Sequence, residues 1–165
     1  MGRRMSPPDP NDFRQAVSLM PSGVTVIAAF GQDGPAGATA SAVCSLSLEP
    51  MMMLACLDRG SRTLRAVQAA DRFSINVLSE DQREAAEVFA TKVEQATKWE
   101  SVSWQDGHQT PLVEGSLARI VCRLRDVIAA GDHSIITGDV VEVIADAEPA
   151  EPLVYHGGIY RRLDS

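Results

Sequence analysis

The longest uninterrupted apolar run, Met51 to Leu57, is only seven residues long, with Pro50 before it and Asp58-Arg59-Gly60 after it. A run of that length suits one β-strand and falls far short of the roughly 18–20 residues of a membrane-spanning helix. It predicts a soluble chain with a fully buried strand at this position. Similar short segments recur along the sequence. Val24 to Phe30 is rich in β-branched residues, runs into Gly31-Gln32-Asp33-Gly34-Pro35, and is answered by an extended stretch through Ala38 to Leu48. Phe73 to Leu78, Leu117 to Ile128, Ile135 to Ile144 and Leu153 to Tyr160 read as further strands, with Gly-Asp and Glu-Pro signals at intervening turns.

Helical spacing is confined to three places. Pro10 to Met20 puts Phe13, Ala16, Val17 and Met20 on one face behind a cap at Asn11 or Asp12. Ser61 can cap a helix through Leu64 and Val67 to about Asp71, and Ser79 opens another with Glu80 and Asp81 in its first turn, running to about Thr91. Lys92 to Gly115 shows weak periodicity and reads as a loop, of the kind that often covers a site. Several strands, few helices and hairpin-length links predict a mainly β fold, an antiparallel barrel with flanking helices.

At 165 residues the expectation is one domain over residues 11–165 behind a disordered N-terminal tail, 1–10. The tail's two arginines are followed by prolines and an aspartate instead of the apolar stretch of a signal peptide, so a cytoplasmic location is expected. Cys44, Cys56 and Cys122 form no CxxC pair and read as buried thiols, neither disulfide framework nor zinc knuckle. A net charge of −7 without a basic cluster argues against nucleic acid as a partner.

Two segments stand out chemically. Gly60-Ser61-Arg62-Thr63, between a strand and a helix, gathers backbone N–H groups, two hydroxyls and a guanidinium, a good phosphate site. An ordinary capped helix start with a solvated arginine accounts for it equally well. From Ala38 to Ser47, small and hydroxylated residues stand where bulky β-branched ones would pack better. Thr39, Ala40, Ser41, Ala42 and Val43 would let a flat ring approach the backbone and take hydrogen bonds from it; a strand crowded by a neighbour is the plainer alternative. Gly131-Asp132-His133 is a turn, where a lone histidine is by default a surface residue. His108, His133 and His156 lack zinc-ligand spacing, no GxSxG elbow exists, and Gly31, Gly34 and Gly37 do not make a GxGxxG fingerprint. Any nucleotide here binds outside a Rossmann frame.

In order, Ser22-Gly23-Val24-Thr25-Val26, Gly37-Ala38-Thr39-Ala40-Ser41, Ser45-Leu46-Ser47-Leu48-Glu49-Pro50, Phe73-Ser74-Ile75-Asn76-Val77-Leu78, Gly131-Asp132-His133 and Tyr155-His156-Gly157-Gly158-Ile159-Tyr160 resemble the flavin reductase-like family from Phe13 to Leu163. These are the FMN-binding split-barrel reductases that serve two-component flavin monooxygenases. The resemblance implies a six-stranded antiparallel split barrel, usually a homodimer. It also implies an NAD(P)H-dependent flavin reductase that passes a hydride from NADH or NADPH to FMN or FAD and supplies reduced flavin to a separate monooxygenase. By position it puts Thr39 to Val43 along the isoalloxazine edge, Ser47, Cys56, Leu57 and Asp58 nearby, and Ser61, Arg62 and Thr63 at the flavin phosphate. His133, and less directly Tyr160, fall on the nicotinamide side.

Hydride transfer between two cofactors requires no acid or base from the protein, so none is assigned. Ala42 and Met51 stand where relatives often carry a serine and a proline, and losing one hydroxyl favours a freely exchanging flavin. Two alternatives are a non-catalytic flavin-binding or electron-transfer split barrel, and an oxidase of a phosphorylated pyridoxine-like substrate in a similar barrel. The Gly-Asp-His turn argues against the first, and the lack of a basic cluster for a second phosphate against the other.

Overall fold

The structure, a computed structural model, describes residues 7–145 and 150–163. Helix α1 (Pro10–Ser18) leads into β1 (Ser22–Gly23), β2 (Thr25–Gly31), β3 (Gly34–Ala40), β4 (Val43–Leu48) and β5 (Met51–Asp58). Helix α2 (Arg62–Ala70), β6 (Arg72–Val77), a 3₁₀ turn at Glu80–Gln82, α3 (Arg83–Ala90) and α4 (Gln95–Glu100) follow. The chain closes with β7 (Trp104–Gly107), β8 (Thr110–Val113), β9 (Ala118–Ala130), β10 (His133–Ala145), β11 (Val154–His156) and β12 (Ile159–Arg161).

The main sheet is antiparallel, in the order β3-β2-β6-β9-β10-β5-β4. Its two edge strands are consecutive in the chain, joined only by Ser41 and Ala42. The sheet therefore closes on itself through a two-residue kink in place of a hydrogen-bonded seam, which is the split of a split barrel. The stretch Ala38 to Leu48, expected as one strand, is broken at this kink. Counted by ladders the sheet has seven strands.

Two cores explain why β2 is apolar without alternation. Ile27 and Ala29 face the barrel interior with Phe73, Ile75 and Ile136, whereas Val24, Val26 and Ala28 face a second cluster with Leu78, Phe89 and Trp99. A strand buried on both faces has no polar face to show. Helices α3 and α4 and the β7–β8 hairpin supply that second layer.

Several expectations change. The cap of α1 is Asp9, which accepts from the Asn11 N–H at 2.7 Å, because Pro10 takes the first helical position where no N–H is needed; the helix ends at Ser18. Its apolar face is unburied within the chain, with Phe13 64% exposed. Strand β5 is not fully buried: Met51 is exposed, Met52 to Leu54 and Cys56 are half-buried with Met53 packed against the core, and only Ala55 and Leu57 are buried. Cys44 is exposed and Cys56 half-buried; Cys122 is buried, and burial, then Asp139, push its thiol up to about 12.

The expected loop from Lys92 to Gly115 contains α4 and the β7–β8 hairpin. Lys98 in α4 is buried, its Nζ donating to the Phe89 carbonyl at 3.1 Å, so the helix lacks an apolar stripe. The hairpin turns on His108 and Gln109 at φ 55° and 64°, without the usual Gly or Asn. Leu153 to Tyr160 is a hairpin, divided at Gly157 and Gly158 with φ 64° and 81°. Residues 1–6 of the expected tail, and residues 146–149 with part of the Glu-Pro turn, lie outside the described residues. Among the described residues no helix is long and apolar enough to cross a membrane.

Candidate functional site

The kink is where the backbone is least committed. Thr25 pairs with Ala40 and Val43 with Ala55, so Ser41 and Ala42 stand between two ladders, and both are exposed. The Ala42 carbonyl accepts from the Cys56 N–H at 2.9 Å, pinning the kink to β5. The Thr39 hydroxyl is engaged elsewhere, donating to the Ala86 carbonyl in α3 at 2.7 Å, and Ala40 is buried. This leaves Ser41 and Ala42 as the backbone a flat ligand can reach.

Two residues beyond Cys56, past buried Leu57, β5 ends at Asp58, and a tight structure follows. Asp58 Oδ1 accepts from the Gly60 N–H at 2.7 Å, and its carbonyl accepts from the Ser61 N–H at 3.0 Å. Ser61 Oγ caps α2 by accepting from the Leu64 N–H at 3.1 Å, and Arg65 donates to the Gly60 carbonyl at 3.0 Å. The first-turn N–H groups of Arg62 and Thr63 have no acceptor within the helix, as at any helix start, and an anion placed there would meet them. The Thr63 side chain is 1% exposed and its Oγ1 has no hydrogen-bond partner.

The β9–β10 turn docks on this end. The Arg59 N–H donates to the Asp132 carbonyl at 3.1 Å, Arg59 Nη1 to the Gly131 carbonyl at 3.2 Å, and His133 stands opposite Asp58 in the ladder. The His133 ring is exposed, its Nδ1 2.8 Å from Asp132 Oδ1, and the histidine holds the Asp132 carboxyl below the usual carboxylate range. Thr39 to Val43, Cys56 to Asp58, Ser61 to Thr63 and His133 thus lie along one continuous edge.

Ser47 and Tyr160 are not brought to that edge. Ser47 pairs with Met52, six residues from Asp58 or about 20 Å at the rise of an extended strand, and its hydroxyl accepts from the Glu49 N–H. Tyr160 stacks edge-on against Tyr155 at 5.3 Å and lines a cavity of about 370 Å³ with Arg83 and Arg162. Burial, then Tyr155, raise its hydroxyl above the ordinary range.

A larger cavity, about 830 Å³, opens between the β2–β3 turn, α2 and α4, and meets the edge only at Arg62. Trp99 and Trp104 line it, stacked edge-on at 5.4 Å, with Arg65, Glu94 and Gln95. Sequence reasoning missed Glu94, Gln95, Trp99 and Trp104 because they lie between Lys92 and Gly115, the stretch that reads as a loop, whereas Arg65 lies on the expected helix after Ser61. Two features fit a flavin nucleotide: a side-chain-poor kink with free backbone for a flat ring, and the orphaned Thr63 hydroxyl at a helix start with an arginine for a phosphate.

The family model described as "Flavin reductase like domain" matches residues 17–164. The chain belongs to the flavin reductase-like family. Among curated relatives of this flavin reductase-like chain, the reductase component of a 4-nitrophenol 4-monooxygenase/4-nitrocatechol 2-monooxygenase from Rhodococcus opacus is 38% identical, over 93% of this chain and 81% of that one. The reductase subunit HsaB of a flavin-dependent monooxygenase from Mycobacterium tuberculosis is 33% identical, over 94% and 83%. Among solved structures, the NADH:FAD oxidoreductase SgcE6 of Streptomyces globisporus C-1027 superposes with a TM-score of 0.89 at 28% identity, covering 100% of this chain and 99% of that one.

Proposed function

We propose that this chain is an NAD(P)H:flavin oxidoreductase that reduces FMN or FAD and supplies the reduced flavin to a separate monooxygenase component. The observation that carries this reading is the meeting, on one edge, of the Ser41-Ala42 kink, the start of α2 and the His133 turn. A bound flavin and nicotinamide nucleotide supply the hydride transfer themselves. The protein's part is alignment. Ser41 and Ala42 offer backbone N–H groups to the edge of a flat ring, Ser61 to Thr63 receive the phosphate, and His133 orients the nicotinamide nucleotide. The Rhodococcus and Mycobacterium relatives are named as the reductase component and the reductase subunit of monooxygenases, which supports a separate oxygenase component here.

The decisive assay follows absorbance at 340 nm with NADH or NADPH, with and without FMN, FAD or riboflavin. Flavin-dependent consumption is the expected result; flavin binding without consumption would move the chain to the non-catalytic alternative. In the same assay His133→Ala is expected to raise KM for the nicotinamide nucleotide by about three- to tenfold while leaving flavin affinity within about twofold. Equal loss of both would count against His133 as a nucleotide contact.

The working unit is a homodimer. Leu46 and Leu48 on β4, Val127 and Ile128 on β9, and Val141 and Val143 on β10 are all exposed, an unusual amount of apolar wall for one barrel. Light scattering after size exclusion is expected to give twice the chain mass, and a monomer at micromolar concentration would remove this element.

A further inference from the structure

Resting on the reading above, in which Ser61 to Thr63 receive the flavin phosphate, the geometry points to Glu94 as a built-in competitor for that phosphate. Glu94 holds Arg62, the one long cationic side chain of the proposed phosphate site, and a phosphate must draw Arg62 away from it.

Arg62 makes a two-pronged ion pair with Glu94 across 32 positions of sequence, Nη2 donating to Oε1 at 2.8 Å and Nη1 to Oε2. The pair spans two elements, the first turn of α2 and the residue just before α4. It is solvent-exposed, with 47% of the Arg62 side chain and 72% of the Glu94 side chain accessible. Exposed pairs of this kind are weak and screened by salt, so they exchange partners readily. A phosphate dianion presents three acceptor oxygens and the greater charge to the same planar fork. The free N–H groups of the α2 first turn add to it and give nothing to the Glu94 carboxylate where it stands.

The surroundings sharpen the competition. The Lys98 amine is held below its usual range, first by burial and then by Arg62, so two cations lie close together with Glu94 as the neighbouring counter-charge. Arg65 is engaged at the Gly60 carbonyl. Removing the charge of Glu94 leaves Arg62 without its counter-charge beside the phosphate position, while the Lys98 amine stays buried at the Phe89 carbonyl. Glu94 therefore lowers affinity for phosphorylated flavins selectively and favours their release, as a protein that hands reduced flavin to another chain requires. Gln95, the next residue, anchors α4 independently, its side-chain amide bonding both the N–H and the carbonyl of Gly37 at 2.8 and 3.2 Å. Glu94 can thus be neutralised without loosening α4.

The test is a flavin-fluorescence titration with FMN and with riboflavin, which lacks the phosphate, on the wild type, Glu94→Gln, Arg62→Ala and the double variant. Unfolding temperatures check that all four are folded. Glu94→Gln is expected to tighten FMN about three- to tenfold and leave riboflavin within about twofold. Arg62→Ala is expected to weaken FMN alone, and the gain from Glu94→Gln to vanish in the double variant. If Arg62→Ala weakens FMN selectively but Glu94→Gln weakens FMN or changes nothing, competition is overturned and the phosphate site stands. A gain that persists without Arg62 also overturns it, reducing Glu94 to a distant charge. If Arg62→Ala acts on both flavins alike or on neither, the phosphate placement falls, and the competition with it.

Discussion

Asn76→Leu is expected to cost about 3 kcal/mol of folding stability. Asn76 is fully buried on β6, and its amide uses both ends. Nδ2 donates to the Val26 carbonyl at 3.0 Å and to Ser74 Oγ at 3.1 Å, while Oδ1 accepts from the Val113 N–H at 2.9 Å. One side chain therefore ties β6 to β2 on one side and to the β7–β8 hairpin on the other. Leucine has nearly the same volume but leaves the Val113 donor and the Val26 carbonyl without that partner in a dry interior, where an unmet polar group costs about 1–3 kcal/mol. Urea unfolding of the two proteins measures the difference, and a loss below about 1 kcal/mol would show that the network is not a stabilising element.

The second large effect is expected at Gly37, because two aromatic rings occupy the place of its side chain. A Cβ there would stand 2.7 Å from Phe89 Cε1 and 2.9 Å from Trp99 Cζ2. These rings are the floor of the second core, packed edge-on at 4.9 Å, and cannot retreat singly. Gly37→Val is expected to force α3 and α4 off β3 at about 2–3 kcal/mol. It would also break the clamp by Gln95 and displace Thr39, whose hydroxyl bonds α3, so flavin binding should fall with stability. Gly23→Ala is the matched control: no atom lies within 4 Å of its new methyl, and a change within about 0.5 kcal/mol is expected. Equal behaviour of the two variants in thermal unfolding and flavin titration would refute the packing argument.

The candidate site divides along a physical line. Ser61 as a helix cap was legible, because capping depends on a hydroxyl three residues before the N–H it accepts. Arg62 was legible as part of a phosphate-binding sequence, but its pairing with Glu94 was not, since a charge pair 32 residues apart leaves no periodic trace. His133 was legible as a turn residue and acquired a neighbour, Asp58, only through the register of two long strands. Trp99 and Trp104 were visible as residues but not assignable to elements, because buried Lys98 interrupts the apolar stripe of α4 and the two turn positions of the hairpin, His108 and Gln109, are not glycine.

What the sequence by itself determined is local: strand-length apolar runs, the two-residue turn after Gly31, the capped start of α2, and the ordered motifs by which the chain resembles its family. These follow from interactions between residues a few positions apart, whose chemistry is visible in the letters. The tertiary structure alone decided that Ala38 to Leu48 bends at Ser41 and Ala42 to serve both edges of one sheet, that Met51 is left exposed at the start of β5, and that α4 seals the edge of β3. Each of those depends on which distant surface an apolar or polar group meets once the barrel closes, and burial is a property of the closed sheet, not of the residue.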